Sequence, residues 1–437
     1  MNEEPANTSL PLNEHPDRRR LAGEVHARPF EILPTPCRIT HIALLADQAT
    51  DRDAEWACLC ALYGAFALAP PEEESGFLSV SCRAFRLRWE RHTEFSSYTF
   101  FRFDSFADPF AETALARVPA DWLKRLPGRM LVGLHVALEA GERPPEDLPA
   151  GHPLVGAQVS GGAGLAWTDY HLHADGFGRA LVRNVSLTGG QAGRLVQRLV
   201  EIETYRMMAL LGFPVARALM PEMTRLENGV VAVVAALAED PSPQTARDQL
   251  SRLTVLAAEA AHRAGAAGYR FAASAAYHDI VCERITALRE SRLPGLQTFA
   301  EFMDRRLTPA MATCRAAAER LEIVNRRLTR AGDLLRTRVD IALEENNRDL
   351  LASMDRRARL QLRLQETVEG LSVVAISYYA LGLISYLAKG LKAAAVPVDS
   401  DLAVMGAVPV IVGLVWMGVR RLRKAPQTPR DIGPPGS

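Results

Sequence analysis

VEGLSVVAISYYALGLISYLA, residues 368–388, is a run of 21 residues in which Glu369 is the only charged side chain. At about 1.5 Å per residue, a helix of this length crosses the ~30 Å core of a bilayer. A second run, LAVMGAVPVIVGLVWMGV at 402–419, has 18 residues and no charge. Two runs of this length that together contain a single charged residue predict a hairpin of two transmembrane helices rather than a buried core hairpin.

Basic residues flank the two predicted spans on their outer sides. Four arginines between 356 and 363 precede the first span, and three arginines and Lys424 follow the second. The connecting segment carries only two lysines, which Asp399 and Asp401 offset. The positive-inside rule therefore predicts that both termini are cytoplasmic and that 389–401 lies outside.

The segment that precedes the first span contains neither Gly nor Pro from residue 333 to residue 369. This favours one uninterrupted helix, because these two residues are the poorest helix formers. Its leucines follow a seven-residue spacing that Arg357 interrupts, a pattern typical of packing against a neighbouring helix or subunit. Two interpretations compete, a solvated surface helix and a stalk that leads into the first span. We expect the stalk, since a helix this long is far above the mean length.

The middle of the chain has the pattern of helices. Apolar side chains at steps of three and four between Leu195 and Leu211 predict an amphipathic helix. A second helix is predicted over about 245–292. Thr308 and Pro309 have the form of an N-cap followed by proline at the first helical position, which predicts a helix that starts there.

The front of the chain has the pattern of a sheet. Short segments rich in aromatic and β-branched residues, separated by Gly and Pro, predict strands in a mainly antiparallel sheet with a few helices. The predicted strands lie at 38–46, twice within 76–104, and at 129–140, 152–160, 164–175 and 178–187, with a helix at 51–66.

Together these patterns predict an α+β cytoplasmic domain with a mainly antiparallel sheet, followed by long helices that form a stalk and by a C-terminal hairpin of two transmembrane helices. The predicted parts are a disordered N-terminus (1–20), an α/β cytoplasmic domain (21–188), a helical domain (189–332), a stalk helix (333–367), transmembrane helix 1 (368–388), an outer loop (389–401), transmembrane helix 2 (402–419) and a basic, Pro/Gly-rich cytoplasmic tail (420–437).

Composition excludes some classes of function. The formal net charge is zero, so the chain has no overall basic field for nucleic acid. The cysteines at 37, 58, 60, 82, 282 and 314 lack the spacing of a zinc ribbon or a redox pair. We expect them to be buried, reduced thiols.

One alternating segment has the residue types of a metal site. In WTDYHLHAD, Asp169, His171 and His173 occupy alternate positions and share one face if the segment is a strand. Imidazole and carboxylate groups bind divalent transition metals, so a divalent metal is the cofactor that this pattern would take. The competing interpretation is the solvated face of an antiparallel sheet.

Two other segments show the same alternation. Glu24, His26 and Arg28 alternate in GEVHARPFE, where Pro29 and the prolines that follow favour a strap or an edge strand. In WERHTEF, the alternating residues are Glu90, His92 and Glu94. Each set is interpreted as a structural clamp or as a ligand site, with a solvated face as the alternative.

Three stretches carry a resemblance to a known family. They are LAGEVHARPFE at 21–31, WERHTEFSSYTFFRF at 89–103 and DLLASMDRRARLQLRLQETVEGLSVVAISYYALGLISYL at 349–387. They resemble an uncharacterised bacterial family of membrane-anchored proteins, domain of unknown function 3422. The resemblance implies a bacterial source and membrane anchoring, hence location in the bacterial inner membrane with the lipid bilayer as partner. It implies no activity and no catalytic residue.

The predicted architecture is also similar to that of the two-span magnesium transporters of the CorA type. This resemblance implies that the chain forms a homo-oligomer. Their Gly-Met-Asn motif is absent, because the corresponding stretch reads YLAKGLKAAAVP. If the first span oligomerises, polar groups are expected to face the bundle interior. The candidate pore-lining residues are Ser372, Ser377, Tyr378 and Ser385.

Three classes of function remain open. The first is a membrane-anchored oligomeric scaffold or sensor, which is the class we expect. The sequence shows no nucleophile elbow, HExxH or kinase motif. The second is a CorA-like divalent-cation channel or transporter. The third is a membrane-tethered, metal-dependent enzyme that uses the histidine-rich segments. The expectation is that the protein is not an enzyme.

Overall fold

Among the residues that the structure describes, nine strands form one mixed sheet. The computed structural model describes residues 13–18, 21–22, 29–46, 51–71, 76–142, 152–393 and 400–423. The strands are β1 (Cys37–Leu45), β2 (Phe77–Cys82), β3 (Phe85–Arg91), β4 (Phe95–Arg102), β5 (Arg129–Ala140), β6 (Val155–Val159), β7 (Gly164–Thr168), β8 (Gly178–Asn184) and β9 (Ser291–Arg292).

The strand order in the sheet is β2-β3-β4-β1-β5-β8-β7-β6-β9. Every neighbouring pair is antiparallel except β5 and β8, which are parallel. The prediction of a mainly antiparallel sheet is therefore confirmed. Residues 76–104, where two strands were predicted, form three strands, because a turn of two residues separates Phe77–Cys82 from Phe85–Arg91.

The helices are α1 (Asp51–Ala65), α2 (Ala120–Leu123), α3 (Gly189–Leu210), α4 (Gly212–Glu239), α5 (Pro243–Leu288), α6 (Phe299–Ala393) and α7 (Ser400–Arg423). By contacts the chain divides into two units, each described by itself. The described residues of the first unit run to Pro241 and from Asp248 to Asp333, so the sheet and the predicted helical domain belong to it. The second contains Ser242–Arg247 and the residues from Leu334 onward.

Period-2 alternation in the central strands separates two apolar layers of the first unit. In β1, Cys37 and Ile39 face the cluster that contains α3 residues, and Ile42 and Leu44 face the cluster that contains α1 residues. All but the last residue of β1 are buried, because both faces of the strand are covered. Helix α3 buries the predicted apolar stripe, and Thr188 and Gln191 close a capping box at its start.

Helix α6 starts before the predicted position. Thr298 and Glu301 form the capping box there, with 3.2 Å between each backbone nitrogen and its side-chain acceptor, and Glu290 accepts hydrogen bonds from the next two backbone N–H groups at 2.9 Å. The predicted start at Pro309 is therefore wrong, and Pro309 lies inside the helix. The uninterrupted helix predicted from residue 333 into the apolar run is confirmed, because α6 continues to Ala393.

One helix among the described residues is long and apolar enough to cross a membrane. It is the part of α6 that ends at Leu387, with a mean hydropathy of 1.6 in its most apolar window, of which 6% is buried. Helix α7 covers the second apolar run, but the hairpin of two spans stays a prediction. The predicted outer loop at 389–401 begins too early, because α6 extends to Ala393; residues 394–399 lie outside the described residues.

Most of the predicted disordered N-terminus and of the predicted tail lies outside the described residues, which leave out residues 1–12 and 424–437.

All six cysteines are free. Four are buried as predicted, but Cys282 is exposed on α5, so the expectation of burial is wrong there. Burial raises the pKa of Cys37 to about 12 and that of Cys82 to about 11.

Candidate metal centre

The β6–β7 hairpin determines which histidines meet. Its antiparallel register pairs Val155 with Thr168 and Gly156 with Trp167. His152 precedes Val155 and His171 follows Thr168 by three residues each, so both histidines extend from the same end of the hairpin. The two imidazole rings are stacked, with their centroids 4.0 Å apart and their planes inclined by 17°.

The segment from Asp169 to His173 is not a strand, because β7 ends at Thr168. The prediction that Asp169, His171 and His173 alternate along one strand face is therefore wrong. Tyr170 has a φ of 53°, a left-handed conformation that is uncommon for a side chain of this size. This conformation ends the extended path of β7, so the segment after Thr168 turns instead of continuing the strand.

Packing holds Tyr170 in this conformation. Its ring is stacked on Phe302 of α6 at a centroid distance of 4.5 Å and meets the edge of Phe299 at 6.4 Å. The guanidinium of Arg206, which lies on α3, is 5.0 Å from the centroid of the Tyr170 ring. A strained residue persists only where its surroundings fix it, and here the first turns of α6 do so.

Asp169 is the centre of the cluster, and its side chain is fully buried. One carboxylate oxygen, Oδ1, accepts the backbone N–H of His171 at 3.1 Å. The other, Oδ2, lies 3.1 Å from His152 Nδ1 and 3.1 Å from His173 Nε2. Burial by itself would raise the pKa of Asp169, but the hydrogen bonds from His152 and from the His171 backbone, with the nearby imidazoles, hold it below its ordinary value.

Three side chains have ligand atoms close enough to share an ion. Those of His152, Asp169 and His171 lie within 4.8 Å of one another. Two ligands of one Zn²⁺ can be at most about 4.2 Å apart, given bonds of ~2.1 Å, so a small rotation of the exposed imidazoles closes the set. The Nδ1 atom of His171 lies 2.7 Å from the Asp169 carbonyl oxygen, which it can donate to. This contact places the proton on Nδ1 and leaves the lone pair of His171 Nε2 free to bind a metal.

The structure thus changes the predicted metal set. It brings together Asp169 and His171 as the sequence suggested, adds His152, and places His173 beside the carboxylate rather than in the ligand set. Sequence reasoning missed His152, although it is the first residue of the strand predicted at 152–160. The signal that could have found it is the equal spacing of His152 and His171 from the paired strand ends, which needs the positions of both ends.

The clamp residues separate into different environments. Glu24, His26 and Arg28 lie outside the described residues. The strap that follows them is described from Pro29: its carbonyl accepts a hydrogen bond from Arg88 Nη1 at 2.7 Å, and the Leu33 N–H donates to the Gly189 carbonyl at 3.1 Å. Residues 29–33 therefore lie between β3 and the start of α3.

Glu90, His92 and Glu94 do not share a strand face, because β3 ends at Arg91 and β4 starts at Phe95. Glu90 pairs with Arg88, and His92 Nε2 lies 3.8 Å from the Glu90 carboxylate. Glu94 points to α5 instead. Its carboxylate accepts two hydrogen bonds from Arg270, at 3.0 and 2.9 Å, and one from the Tyr277 hydroxyl at 2.8 Å. Glu94 is thus positioned to join the sheet to α5.

The candidate pore-lining residues lie on the apolar part of α6. Ser377 is buried, Tyr378 is exposed, and the Ser372 hydroxyl donates to the Val368 carbonyl at 2.8 Å. At about 100° per residue, Ser377, Tyr378 and Ser385 fall within one third of the helix circumference, and Ser372 lies on the opposite side.

Two buried histidines were not singled out from the sequence. His41 lies between Thr99, at 2.8 Å from Nδ1, and Thr204, at 3.0 Å from Nε2. Thr204 donates to the Val200 carbonyl at 2.8 Å, so its oxygen accepts from Nε2–H of a neutral imidazole. Burial, then the nearby His92 and Arg88, lowers the pKa of His41 to about 3. His135 bonds to Thr40 at 2.8 Å, and burial lowers its pKa to about 4.

Comparison with known proteins shows the family of the chain. The family model described as Protein of unknown function (DUF3422) matches residues 13–425. The chain therefore belongs to this family, as the resemblance implied. No curated protein and no solved structure shows a significant match to the chain.

Proposed function

We propose that this member of the family is an integral membrane protein that anchors a cytoplasmic α/β and helical domain to the bacterial inner membrane, as an oligomeric scaffold or sensor. The observation that carries the proposal is the exposure of the apolar part of α6. Leu371, Val374, Leu383 and Leu387 are each at least 64% exposed. Apolar surface in water is unfavourable by roughly 25 cal/mol per Å², and a bilayer removes this cost.

Helix α7 supports the same proposal. Its exposed side chains include Val410, Leu414 and Met417, and Ile411 is buried. At its C-terminal end the Arg420 guanidinium lies 4.8 Å from the centroid of the Trp416 ring. A tryptophan beside an arginine is typical of the boundary between a span and the cytoplasmic headgroups.

Membrane fractionation and reporter fusions test the anchoring. We expect the full-length protein to stay in the membrane after extraction at alkaline pH. Reporters that are active on one side only should show that Ser437 and Pro397 lie on opposite sides, with Ser437 in the cytoplasm. A soluble protein, or a periplasmic signal at Ser437, would contradict the proposal.

A second candidate function, a membrane-tethered metal-dependent enzyme or metal sensor, is favoured by the His152–Asp169–His171 cluster. Three protein ligands leave a coordination position open, which is the arrangement of catalytic rather than structural zinc sites. The detergent-solubilised protein should bind Zn²⁺ or Ni²⁺. The double variant His152→Ala and His171→Ala should lose this binding, and unchanged binding would exclude the site.

A CorA-like channel requires an oligomer around the first span. The polar residues Ser377, Tyr378 and Ser385 fall on one side of α6, which is the arrangement that a pore would need. The oligomeric state of the detergent-solubilised protein tests this alternative, since a monomer would exclude a pore along the α6 axis.

A further inference from the structure

A cavity of about 100 Å³ lies beside the candidate metal centre, within the first unit. Asp169 and His171 line one side of it, and residues of α6 line the other side. The α6 residues include Phe302, Arg305 and Arg306. The cavity therefore has metal ligands and guanidinium groups on its walls.

Helix geometry explains why the arginines face this cavity. Phe302 is stacked on Tyr170, the residue between the two ligands Asp169 and His171. Arg305 and Arg306 follow Phe302 by three and four residues, and side chains at this spacing share one face of a helix. The contact that fixes the metal-binding loop thus also turns both arginines toward it.

The charges of the cavity are unbalanced. Both arginines are exposed, and neither forms an ion pair with a carboxylate among the residues that the structure describes. Asp169 is the only acidic residue in the lining. A divalent ion at the cluster would therefore bring positive charge next to two guanidinium groups. Like charges at this range repel each other, and an anion between them would remove the repulsion.

We propose that this cavity binds a phosphate group, which would complete the coordination of a divalent metal held by His152, Asp169 and His171 and accept hydrogen bonds from Arg305 and Arg306. The proposal rests on the metal-binding candidate function given above. A phosphate has enough oxygens to contact the metal and two guanidinium forks at once, whereas a carboxylate has two.

The cavity is large enough for a phosphate group. A single water molecule needs about 10–15 Å³ of such a volume, so about 100 Å³ accommodates the phosphorus and its four oxygens. The ligand is inorganic phosphate or the phosphoryl end of a phosphomonoester whose remainder lies in solvent. His152 and His171, which are exposed, leave that side open.

Cobalt spectroscopy on the full-length protein in detergent tests the proposal in two steps. Co²⁺ is first titrated into the protein, and its visible absorption reports the ligands. Inorganic phosphate, phenyl phosphate and acetate are then titrated separately into the Co²⁺-loaded protein. We expect phosphate to change the cobalt spectrum and acetate to bind at least about tenfold more weakly, because acetate cannot reach both arginines and the metal.

The double variant Arg305→Ala and Arg306→Ala separates the anion site from the metal site. It should bind Co²⁺ as the wild type does and bind phosphate about 100-fold more weakly, because two charge-assisted interactions are lost. The matched control, Arg326→Ala and Arg330→Ala, removes two exposed arginines of the same helix and should change neither titration.

Each result has one meaning. Unchanged phosphate affinity in the Arg305/Arg306 variant, or equal affinity for acetate and phosphate, would overturn the phosphate site and leave the metal site standing. Failure of the wild type to bind Co²⁺ in the first step would overturn the metal site and the phosphate proposal together. A preference for phenyl phosphate over inorganic phosphate would identify a phosphomonoester as the ligand class and support the proposal.

Discussion

The imidazole rings of His152 and His171 stack across the β6–β7 hairpin, with their centroids 4.0 Å apart, at the edge of the fully buried Asp169 carboxylate. The stacking places two exposed nitrogen donors next to one anion that the fold keeps out of water. An ion bound there would neutralise a carboxylate that now relies on imidazoles and on one backbone N–H group.

The different positions of His152 and His173 give a first prediction. His152→Ala removes a ligand and should weaken zinc binding by at least about 100-fold. His173→Ala removes only a neighbour of the Asp169 carboxylate and should weaken zinc binding less, by about 10- to 100-fold. Isothermal titration of the two variants in detergent measures both values. A larger loss for His173→Ala would place His173 in the ligand set.

The buried His41 predicts a loss of stability in acid. The folded protein keeps this imidazole neutral because its pKa is lowered to about 3, whereas an unfolded histidine has a pKa near 6.5. The unfolded state therefore binds the proton first, and the free energy of unfolding should fall as pH decreases below about 6.5. The expected slope from this group is about 1.4 kcal/mol per pH unit.

Denaturant titrations of the full-length protein between pH 7 and pH 4.5 measure that slope. His41→Gln keeps hydrogen-bonding groups near Thr99 and Thr204 but does not titrate, so its curve should be flatter than that of the wild type by the stated amount. His262→Gln, at an exposed histidine of α5, serves as the matched control. Parallel curves for wild type and His41→Gln would contradict the prediction.

Glu94 gives a prediction for the contact between the sheet and α5. Glu94→Gln removes the charge that Arg270 and Tyr277 bind and should lower the free energy of unfolding at pH 7 by about 2 kcal/mol. Burial alone would raise the pKa of Glu94, but the hydrogen bonds from Arg270 and Tyr277 outweigh this effect and hold it below its ordinary value. This stabilisation is therefore present above the unfolded pKa of about 4.3 and is lost as pH falls through the folded value.

The difference between wild type and Glu94→Gln should consequently shrink in strong acid. Chemical denaturation followed by tryptophan fluorescence at pH 7 and at pH 3 measures it. Asp121→Asn is the control, because its ion pair with Lys124 is solvent-exposed and such pairs contribute little. Equal stability of wild type and Glu94→Gln at pH 7 would show that the contact is not a clamp.

The long helix α6 gives a prediction at Leu350, which is 59% exposed. Leu350→Pro removes a backbone hydrogen bond and introduces a steric clash, at a cost of about 3 kcal/mol or more. Leu350→Ala keeps the helix, because alanine is the best helix former. Hydrogen exchange should be faster in the turns next to residue 350 in the proline variant alone. Similar exchange in both variants would indicate that the segment is not a stable helix.

Local patterns predicted the elements of this fold better than the contacts between them. Short segments rich in β-branched and aromatic residues located β1 and β5, and the absence of Gly and Pro located the long part of α6. The start of α6 was missed, because Thr298, Glu301 and Glu290 satisfy its first N–H groups ten residues before Pro309. A proline at the first position is only one of several ways to begin a helix.

The metal cluster could be predicted only in part, since it depends on two features that composition does not reveal. One is the pairing of β6 with β7, which brings His152 and His171 to the same end of the hairpin although 19 positions separate them in sequence. The other is the left-handed backbone at Tyr170, which is fixed by Phe299 and Phe302 of a distant helix. A tyrosine carries no local signal for this conformation, because glycine or asparagine is the usual residue there.

The four buried cysteines allow local opening of the fold to be measured by thiol labelling. Alkylating reagents react with thiolates, and burial keeps Cys37 and Cys82 protonated with pKa values of about 12 and 11. Cys282 is exposed and can be replaced by serine, which leaves a protein whose remaining thiols are mostly shielded. The rate at which iodoacetamide then labels each cysteine measures how often its own element, β1, β2, α1 or α6, opens to solvent.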